Sequence, residues 1–260
     1  MKLRSIRAFF FDLDGVLSVG KEKPRYLGGR EVVAKIKSSG RKAAVLTNDS
    51  THIRQEIVQS LMKLGFSFDY EEILTSSYLA AVYLARRFGR AAFFLVGEEG
   101  LRRELEAAGH IPNEDRPDAV VVGLDRQLSY DKLNRALRFL REGALLVGSY
   151  GGAVYMSDRG PALSAGPIVR ALEYGSGRRA IMIGKPSPRI FRLALERLGE
   201  KAARAVMIGD QIETDLLGAH RAGVRTILVL TGVENQETIR RSKAKPDQVI
   251  STVDDLVDLL

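Results

Sequence analysis

The chain has 260 residues, of which 45% are hydrophobic and 28% are charged, values that are ordinary for globular proteins and leave room for two domains. It contains no cysteine, which excludes disulfide frameworks and thiolate chemistry. The net charge of +8 is spread over predicted helices rather than concentrated in one basic tract, so we do not expect a nucleic acid partner. We interpret the basic residues as solvated helix faces, with attraction of anionic substrates as the alternative.

Apolar runs in this chain are short. None approaches the roughly 20 residues that a membrane-spanning helix needs. The first run, 8–11, ends at Asp12, which is too early for the core of a signal peptide. We therefore expect a cytoplasmic protein without membrane association.

The first predicted elements alternate between strand and helix. They are a strand at 6–13, a helix at 28–39, a strand at 42–46, an amphipathic helix at 51–64 and a short strand at 72–75. This alternation predicts an α/β fold with a doubly wound parallel sheet.

A second alternating block follows. It has predicted helices at 77–88, 100–108, 130–142 and 167–174, predicted strands at 91–96, 119–122 and 144–147, and a glycine-rich loop or irregular hairpin at 148–160. We expect the elements of the first domain to resume after it, with strands at 180–183, 205–208 and 226–230 and helices at 188–198, 214–222 and 253–260.

Two carboxylates lie at the carboxyl end of the first strand. Asp12 and Asp14 stand two residues apart directly after the apolar run, and Gly15 comes next. Buried carboxylates are costly unless a cation or a substrate neutralises them. Open α/β sheets bind ligands at the carboxyl ends of their strands, so the pattern indicates a binding site, with a helix cap or an Asx-turn as the alternative.

Other polar side chains occupy similar places further along the chain. They are Thr47 and Asn48 after the strand 42–46, Lys185 just before the helix 188–198, Asp210 after the strand 205–208, and Asp215 beyond it. In this order the segments resemble the four motifs of the haloacid dehalogenase (HAD) superfamily. The likeness to its NagD/4-nitrophenylphosphatase branch extends over nearly all of the chain.

The resemblance implies a fold and an activity. The expected fold is a HAD-like, Rossmann-like core formed by 1–76 plus 178–260, with an α/β cap domain of the C2 type inserted at 77–177. The expected activity is Mg²⁺-dependent hydrolysis of small-molecule phosphate monoesters through an aspartyl-phosphate, similar to 4-nitrophenylphosphatases and phosphoglycolate phosphatases. The cap of this branch also implies that a homodimer can form through that domain.

The resemblance also assigns roles to the residues after the strands. Asp12 would be the nucleophile and Asp14 the general acid and base. Lys185 would neutralise the phosphoryl group or Asp12. The implied Mg²⁺ ligands are a carboxylate oxygen of Asp12, the backbone carbonyl of Asp14 and a carboxylate oxygen of Asp210. Asp215 would orient waters or Lys185, and a helix N-terminal carboxylate is the alternative.

Three consecutive residues are expected to bind the phosphoryl group. Thr47 would offer a hydroxyl and an N–H, Asn48 an amide, and Asp49, which departs from the second Asn usual in this branch, its backbone N–H. The isolated histidines His52 and His220, like His110, have no metal-ligand spacing, so we expect them to take no part in catalysis.

The sequence also allows two other functions, and it contains one segment that we expect to determine specificity. A phosphotransferase or phosphomutase would share the core, and a non-catalytic ligand-binding or regulatory module would share the scaffold. The loop 148–161, with Tyr150 and Arg159, is expected to select the substrate, with an exposed hairpin as the alternative. The sequence does not identify the physiological substrate.

Overall fold

The computed structural model describes residues 3–20, 24–157 and 160–260. Its strands are β1 (Ala8–Phe11), β2 (Ser18–Val19), β3 (Arg25–Tyr26), β4 (Lys42–Thr47), β5 (Ile73–Thr75), β6 (Ala92–Val96), β7 (Ile111–Pro112), β8 (Ala119–Val122), β9 (Leu145–Gly148), β10 (Val154–Ser157), β11 (Gly160–Leu163), β12 (Ile181–Met182), β13 (Ala205–Gly209), β14 (Arg225–Val229) and β15 (Gln248–Ile250).

Helices connect most of these strands. The α-helices are α1 (Arg30–Ser38), α2 (Arg54–Lys63), α3 (Ser76–Phe88), α4 (Glu99–Ala107), α5 (Tyr130–Glu142), α6 (Ala165–Ser176), α7 (Pro188–Leu198), α8 (Leu217–Arg221) and α9 (Gln236–Arg241). Short 3₁₀ helices span Tyr70–Glu72, Ala202–Arg204 and Val253–Leu259, and a π-helix spans Ile212–Leu216. Among the described residues, no helix has the length and apolar character that crossing a membrane requires.

One compact unit consists of Met1–Thr47, Arg54–Leu74 and Lys185–Leu260. Its sheet has the strand order β15-β14-β13-β1-β4-β5, and β1 runs parallel to both β13 and β4. In chain order, β4 and β5 are added on one side of β1, and β13, β14 and β15 are added on its other side. The carboxyl ends of β1 and β13 therefore form a topological switch point, where open α/β sheets bind their ligands.

The composition of β1 explains its central position. All four of its residues are buried, as expected for a parallel strand that is covered on both faces. Phe9 and Phe11 lie in one apolar cluster together with Val206 and Ile208 of β13. Phe10 projects to the opposite face, where its ring meets Phe191 of α7 edge-on at a centroid distance of 6.5 Å. Both faces of β1 thus anchor the strand that carries Asp12.

The other compact unit consists of Asn48–Ile53 and Thr75–Gly184. Its five-stranded sheet has the order β12-β9-β8-β6-β7, with parallel pairing throughout, and β10 and β11 form a separate antiparallel hairpin. Strand and helix residues such as Phe94, Val120 and Leu172 build its core. The parallel α/β architecture predicted from the alternating pattern is confirmed.

One strand belongs to a different sheet than expected. We predicted that 180–183 would resume the first domain, but β12 pairs with Val147 and Gly148 of β9 in the five-stranded sheet. A short apolar run in the sequence indicates a strand, but it does not indicate which neighbouring strand this strand pairs with. The domain limits 1–76 plus 178–260 and 77–177 stay a prediction. The compact units divide at Leu74–Thr75 and at Gly184–Lys185, and the segment Asn48–Ile53 also belongs to the second unit.

The other differences between the predicted and the observed elements are shifted element ends and short elements that the sequence pattern did not indicate. The helix predicted from residue 51 begins at Arg54, because residues 51–53 belong to a turn closed by Asp49. The sequence pattern also missed β2, β3, β7, β15 and α9, which are short. The loop 148–161 contains the hairpin strand β10, and its Asp158 and Arg159 lie outside the described residues.

Candidate active site

Asp12 is fixed at the carboxyl end of β1. Its backbone N–H donates to the carbonyl of Ile208 at 2.9 Å, which extends the pairing with β13 by one residue. The side chain is 7% exposed, and its Oδ1 accepts the N–H of Leu13 at 2.8 Å. Burial raises the pKa of Asp12, the Lys185 cation opposes this, and the nearby Asp14 charge adds to the increase.

Lys185 joins two carboxylates. Its Nζ lies 2.8 Å from Oδ1 of Asp12 and 2.6 Å from Oδ1 of Asp215, and the side chain is 2% exposed. Burial alone would lower the pKa of Lys185, but the two carboxylates outweigh it and raise that pKa above its ordinary value. The lysine is therefore a permanent cation that partly compensates the buried negative charge.

Asp215 owes its position to the π-helix Ile212–Leu216 that follows β13. It is fully buried, and its Oδ2 accepts the N–H of Gln211 at 3.2 Å. A Cβ on Gly209 would lie 2.5 Å from the Asp215 side chain, so only glycine fits there. Burial raises the pKa of Asp215 to about 6, with Lys185 opposing the increase. Of the two roles considered from the sequence, this geometry favours contact with Lys185.

Asp210 carries an uncompensated carboxylate oxygen. The side chain is 1% exposed, and Oδ2 accepts the N–H of Val233 at 3.0 Å. Its Oδ1 is buried and has no hydrogen-bond partner among the described residues. A Cβ on either Gly15 or Gly232 would overlap this carboxylate, so two glycines shape its cradle. Burial, together with the charges of Asp12 and Asp215, raises the pKa of Asp210 to about 7.

These carboxylates form a set of oxygen donors. Asp12, Asp210 and Asp215 each place an oxygen within 4.8 Å of the others. Hard cations such as Mg²⁺ take oxygen ligands, and the orphaned Oδ1 of Asp210 fits such an ion. The set differs from the one implied by the resemblance, in which the carbonyl of Asp14 stands in place of Asp215. The ion pair of Asp215 with Lys185 gives this carboxylate a partner of its own.

Asp14 lies in a tight turn after Asp12. The side chain is half-buried. Gly15 adopts a φ of 80°, which favours glycine, and its N–H donates to the carbonyl of Ser18 at 2.8 Å. The Thr231 hydroxyl donates to the Gly15 carbonyl at 2.6 Å. Our sequence reasoning missed Thr231, although it too lies just beyond a buried strand, two residues after the end of β14.

The residues expected to bind phosphate fall in both compact units. Thr47 ends β4 and is 4% exposed, whereas Asn48 and Asp49 begin the segment that belongs to the second unit. The Asp49 carboxylate closes its own turn, since Oδ1 accepts the N–H of Thr51 at 2.7 Å and Oδ2 lies 2.7 Å from Nδ1 of His52. The Asp49 side chain thus has a structural partner.

The other two histidines have local contacts. His110 is buried, with Nδ1 accepting the N–H of Ala91 at 3.0 Å and Nε2 lying 2.9 Å from the carbonyl of Ala81. His220 places Nε2 2.9 Å from the hydroxyl of Thr226. Neither histidine belongs to the acidic cluster formed by Asp12, Asp210 and Asp215.

Comparison with known proteins identifies the same family that the motifs resemble. A family model described as haloacid dehalogenase-like hydrolase matches residues 9–111, and one described as HAD-hydrolase-like matches residues 182–256. Mouse chronophin is 34% identical over 98% of this chain and 94% of its own length. The chain belongs to the HAD-like hydrolases.

Solved structures place this HAD hydrolase within the superfamily. The p-nitrophenyl phosphatase from Archaeoglobus fulgidus is 34% identical, with a TM-score of 0.92 over 98% of this chain and 99% of its own. NagD from Escherichia coli is 29% identical, with a TM-score of 0.88 over the same shares of the two chains. The protein is accordingly a NagD-like phosphatase, a hydrolase of phosphate monoesters, and the family predicted from the four motifs is confirmed.

Proposed function

We propose that this HAD hydrolase is a Mg²⁺-dependent phosphatase of small-molecule phosphate monoesters that works through an aspartyl-phosphate on Asp12. The observation that carries the proposal is the buried cluster at the ends of β1 and β13. In it, Lys185 holds one oxygen of Asp12, and Asp210 presents an oxygen with no hydrogen-bond partner among the described residues. Such a cluster of carboxylates is costly unless a cation neutralises it, and the bound cation would then attract an anionic phosphoryl group.

The ligands we propose for the ion are carboxylate oxygens of Asp12 and Asp210 and the backbone carbonyl of Asp14. When bound, Mg²⁺ would offset the negative charge of the phosphoryl oxygens and of the surrounding carboxylates. Asp215 would hold Lys185 in place through the 2.6 Å ion pair. The permanent charge of Lys185 would then stabilise the negative charge that accumulates on the phosphoryl group.

In the first step, a carboxylate oxygen of Asp12 attacks phosphorus. Both hydrogen-bond donors seen at Asp12, Lys185 and the N–H of Leu13, bind Oδ1, so we assign the attack to Oδ2. The new P–O bond forms as the bond from phosphorus to the leaving oxygen breaks. Asp14 donates its proton to that oxygen, and the alcohol departs.

In the second step, water attacks the phosphorus of the aspartyl-phosphate. Asp14, now ionised, accepts the proton from the water, and the bond between phosphorus and Oδ2 of Asp12 breaks. Inorganic phosphate leaves, Asp12 is again a carboxylate, and Asp14 is again protonated. The cycle consumes one water per ester and needs no other reactant.

Substrate binding is assigned to residues beyond the cluster. The Thr47 hydroxyl, the Asn48 amide and the Asp49 N–H would donate to phosphoryl oxygens. Asp49 would use its backbone for this, because its carboxylate closes the turn with Thr51 and His52. The inserted domain, 77–177, with its loop 148–161 would select the alcohol and would mediate a homodimer. A cytoplasmic location remains part of the proposal.

A rapid-quench experiment with radiolabelled 4-nitrophenyl phosphate and Mg²⁺ tests this mechanism. We expect label on the protein at early times, labile to alkali as an acyl phosphate is, and then stoichiometric inorganic phosphate. Asp12→Asn should give neither product, and chelator should silence the wild type until Mg²⁺ is restored. Label that leaves only on an added alcohol would indicate a phosphotransferase. Absence of both label and phosphate release would indicate a binding module.

A further inference from the structure

We infer that Ser76 is a positioning residue for the phosphoryl-binding turn at 48–50, an inference that rests on the proposed function of that turn. Ser76 opens α3 and is fully buried. Its Oγ lies 3.0 Å from the carbonyl oxygen of Asn48 and 3.2 Å from that of Asp49, so its single hydroxyl hydrogen is shared between these two acceptors. One side chain therefore fixes the direction of two successive peptide groups.

The direction of these carbonyls determines where the N–H groups of the turn point. The peptide bonds after Asn48 and Asp49 are trans, and in a trans peptide the C=O and the following N–H point in opposite directions. Because both carbonyls face Ser76, the N–H groups of Asp49 and Ser50 face away from it, on a common side. Successive N–H groups arranged in this way form a concavity that binds anions.

The turn and its support are held by further contacts within the second unit. Thr75 caps α3, since its Oγ1 accepts the N–H of Tyr78 at 3.0 Å, so Ser76 stands on a fixed helix start. On the other side, the Ser50 hydroxyl accepts the N–H of Leu124 at 3.3 Å. A Cβ on Gly100 would overlap the backbone of Thr51, so α4 packs directly against the end of the turn. Ser76 thus acts on a turn whose far end, at Ser50 and Thr51, is in contact with other parts of the same unit.

The next residue provides a matched control. Ser77 belongs to the same helical turn and is equally buried, but its Oγ has no hydrogen-bond partner among the described residues. Ser77→Ala removes the same atoms as Ser76→Ala without removing an observed hydrogen bond. Any difference between the two variants therefore reports the contact with the Asn48 and Asp49 carbonyls.

The experiment measures binding of inorganic phosphate by calorimetry with Mg²⁺ present, steady-state kinetics with 4-nitrophenyl phosphate, and the thermal unfolding midpoint. Ser76→Ala should weaken phosphate binding and raise KM by about fivefold to tenfold, the effect of losing one neutral hydrogen bond. Ser77→Ala should remain within about twofold of wild type on both quantities. A merely structural role for Ser76 would lower the unfolding midpoint and leave phosphate affinity unchanged, which would overturn the inference. An equal loss of affinity in both variants would also overturn it.

A measurement on the wild type covers the case in which Ser76→Ala does not fold. Phosphate should shift the amide resonances of Asp49 and Ser50, and unshifted resonances at saturating phosphate would overturn the inference. The proposed mechanism is tested separately by turnover. A wild type that binds phosphate through these amides but does not hydrolyse the ester would refute the mechanism alone. A wild type that hydrolyses the ester, with Ser76→Ala unaffected, would refute only the role of Ser76.

Discussion

The buried carboxylate of Asp210 makes the stability of the metal-free protein depend on pH in a predictable direction. Its pKa is raised from 3.8 to about 7 by burial and by the charges of Asp12 and Asp215. Between about pH 4 and pH 7 the folded protein therefore keeps a proton that the unfolded chain has released. Stability from this group falls as pH rises through that window and stays low above it.

The magnitude follows from the size of the pKa change. A difference of about 3 units at 1.36 kcal/mol each corresponds to about 4 kcal/mol, which we take as an upper limit because several charges share the cluster. Asp210→Asn removes the charge and keeps an oxygen to accept the N–H of Val233. Without metal at about pH 8, we expect the variant to be more stable than the wild type by about 1 to 4 kcal/mol.

Unfolding experiments in chelator at about pH 5 and pH 8 measure this difference. Each kcal/mol should move the thermal midpoint by about 2 to 4 °C in a chain of this size. The advantage of Asp210→Asn should shrink at the lower pH, where the wild-type carboxyl is protonated. Excess Mg²⁺ at the higher pH should stabilise the wild type and leave the variant nearly unchanged. A variant less stable than the wild type at pH 8, or an advantage that is equal at both pH values, would refute the reasoning.

Three further substitutions test other parts of the protein. Asp12→Asn should lower turnover of 4-nitrophenyl phosphate by at least about a thousandfold while the protein remains folded, and activity within about tenfold of wild type would exclude Asp12 as nucleophile. Lys185→Met should lower the free energy of unfolding at neutral pH by about 3 to 5 kcal/mol, because Asp12 and Asp215 lose their shared cation. Denaturant titration should show this loss diminishing on acidification as the carboxyls protonate, and a loss independent of pH would argue against the charge explanation. Tyr150→Ala should change relative kcat/KM among natural phosphate esters several-fold and alter 4-nitrophenyl phosphate much less; equal losses on all substrates would indicate instability of the second unit instead.

Much of the fold could be predicted because the patterns that encode it are local. The run at β1 is apolar at every position, and the helix at Tyr130–Glu142 has the predicted limits because Ser129 caps its start and Gly143 ends it. The residues that follow strands were identifiable for a related reason. A polar group directly after a buried parallel strand lies at the sheet edge, whatever the rest of the chain does.

Contacts between segments that are distant in the chain could not be predicted from these local patterns. The sequence was equally consistent with Asp215 at a helix start and with Asp215 against Lys185. The structure shows the 2.6 Å ion pair with Lys185, which depends on the π-helix and on the complete burial of Asp215. It likewise did not indicate that Thr231 holds the turn at Gly15. These contacts join residues far apart in the chain, and side-chain periodicity carries no information about partners at such separations.

The sequence by itself determined the types of the long elements, the order of the motifs and the chemistry available at the strand ends, since these depend on residue type and spacing. The tertiary structure decided that β12 joins the five-stranded sheet and that the segment Asn48–Ile53 belongs to the second unit while Thr47 belongs to the first. It also decided that Asp210 retains a buried oxygen without a hydrogen-bond partner among the described residues. The physical reason is that strand pairing and the desolvation of a charge depend on everything that surrounds a group, whereas propensity and periodicity depend only on its neighbours in the chain.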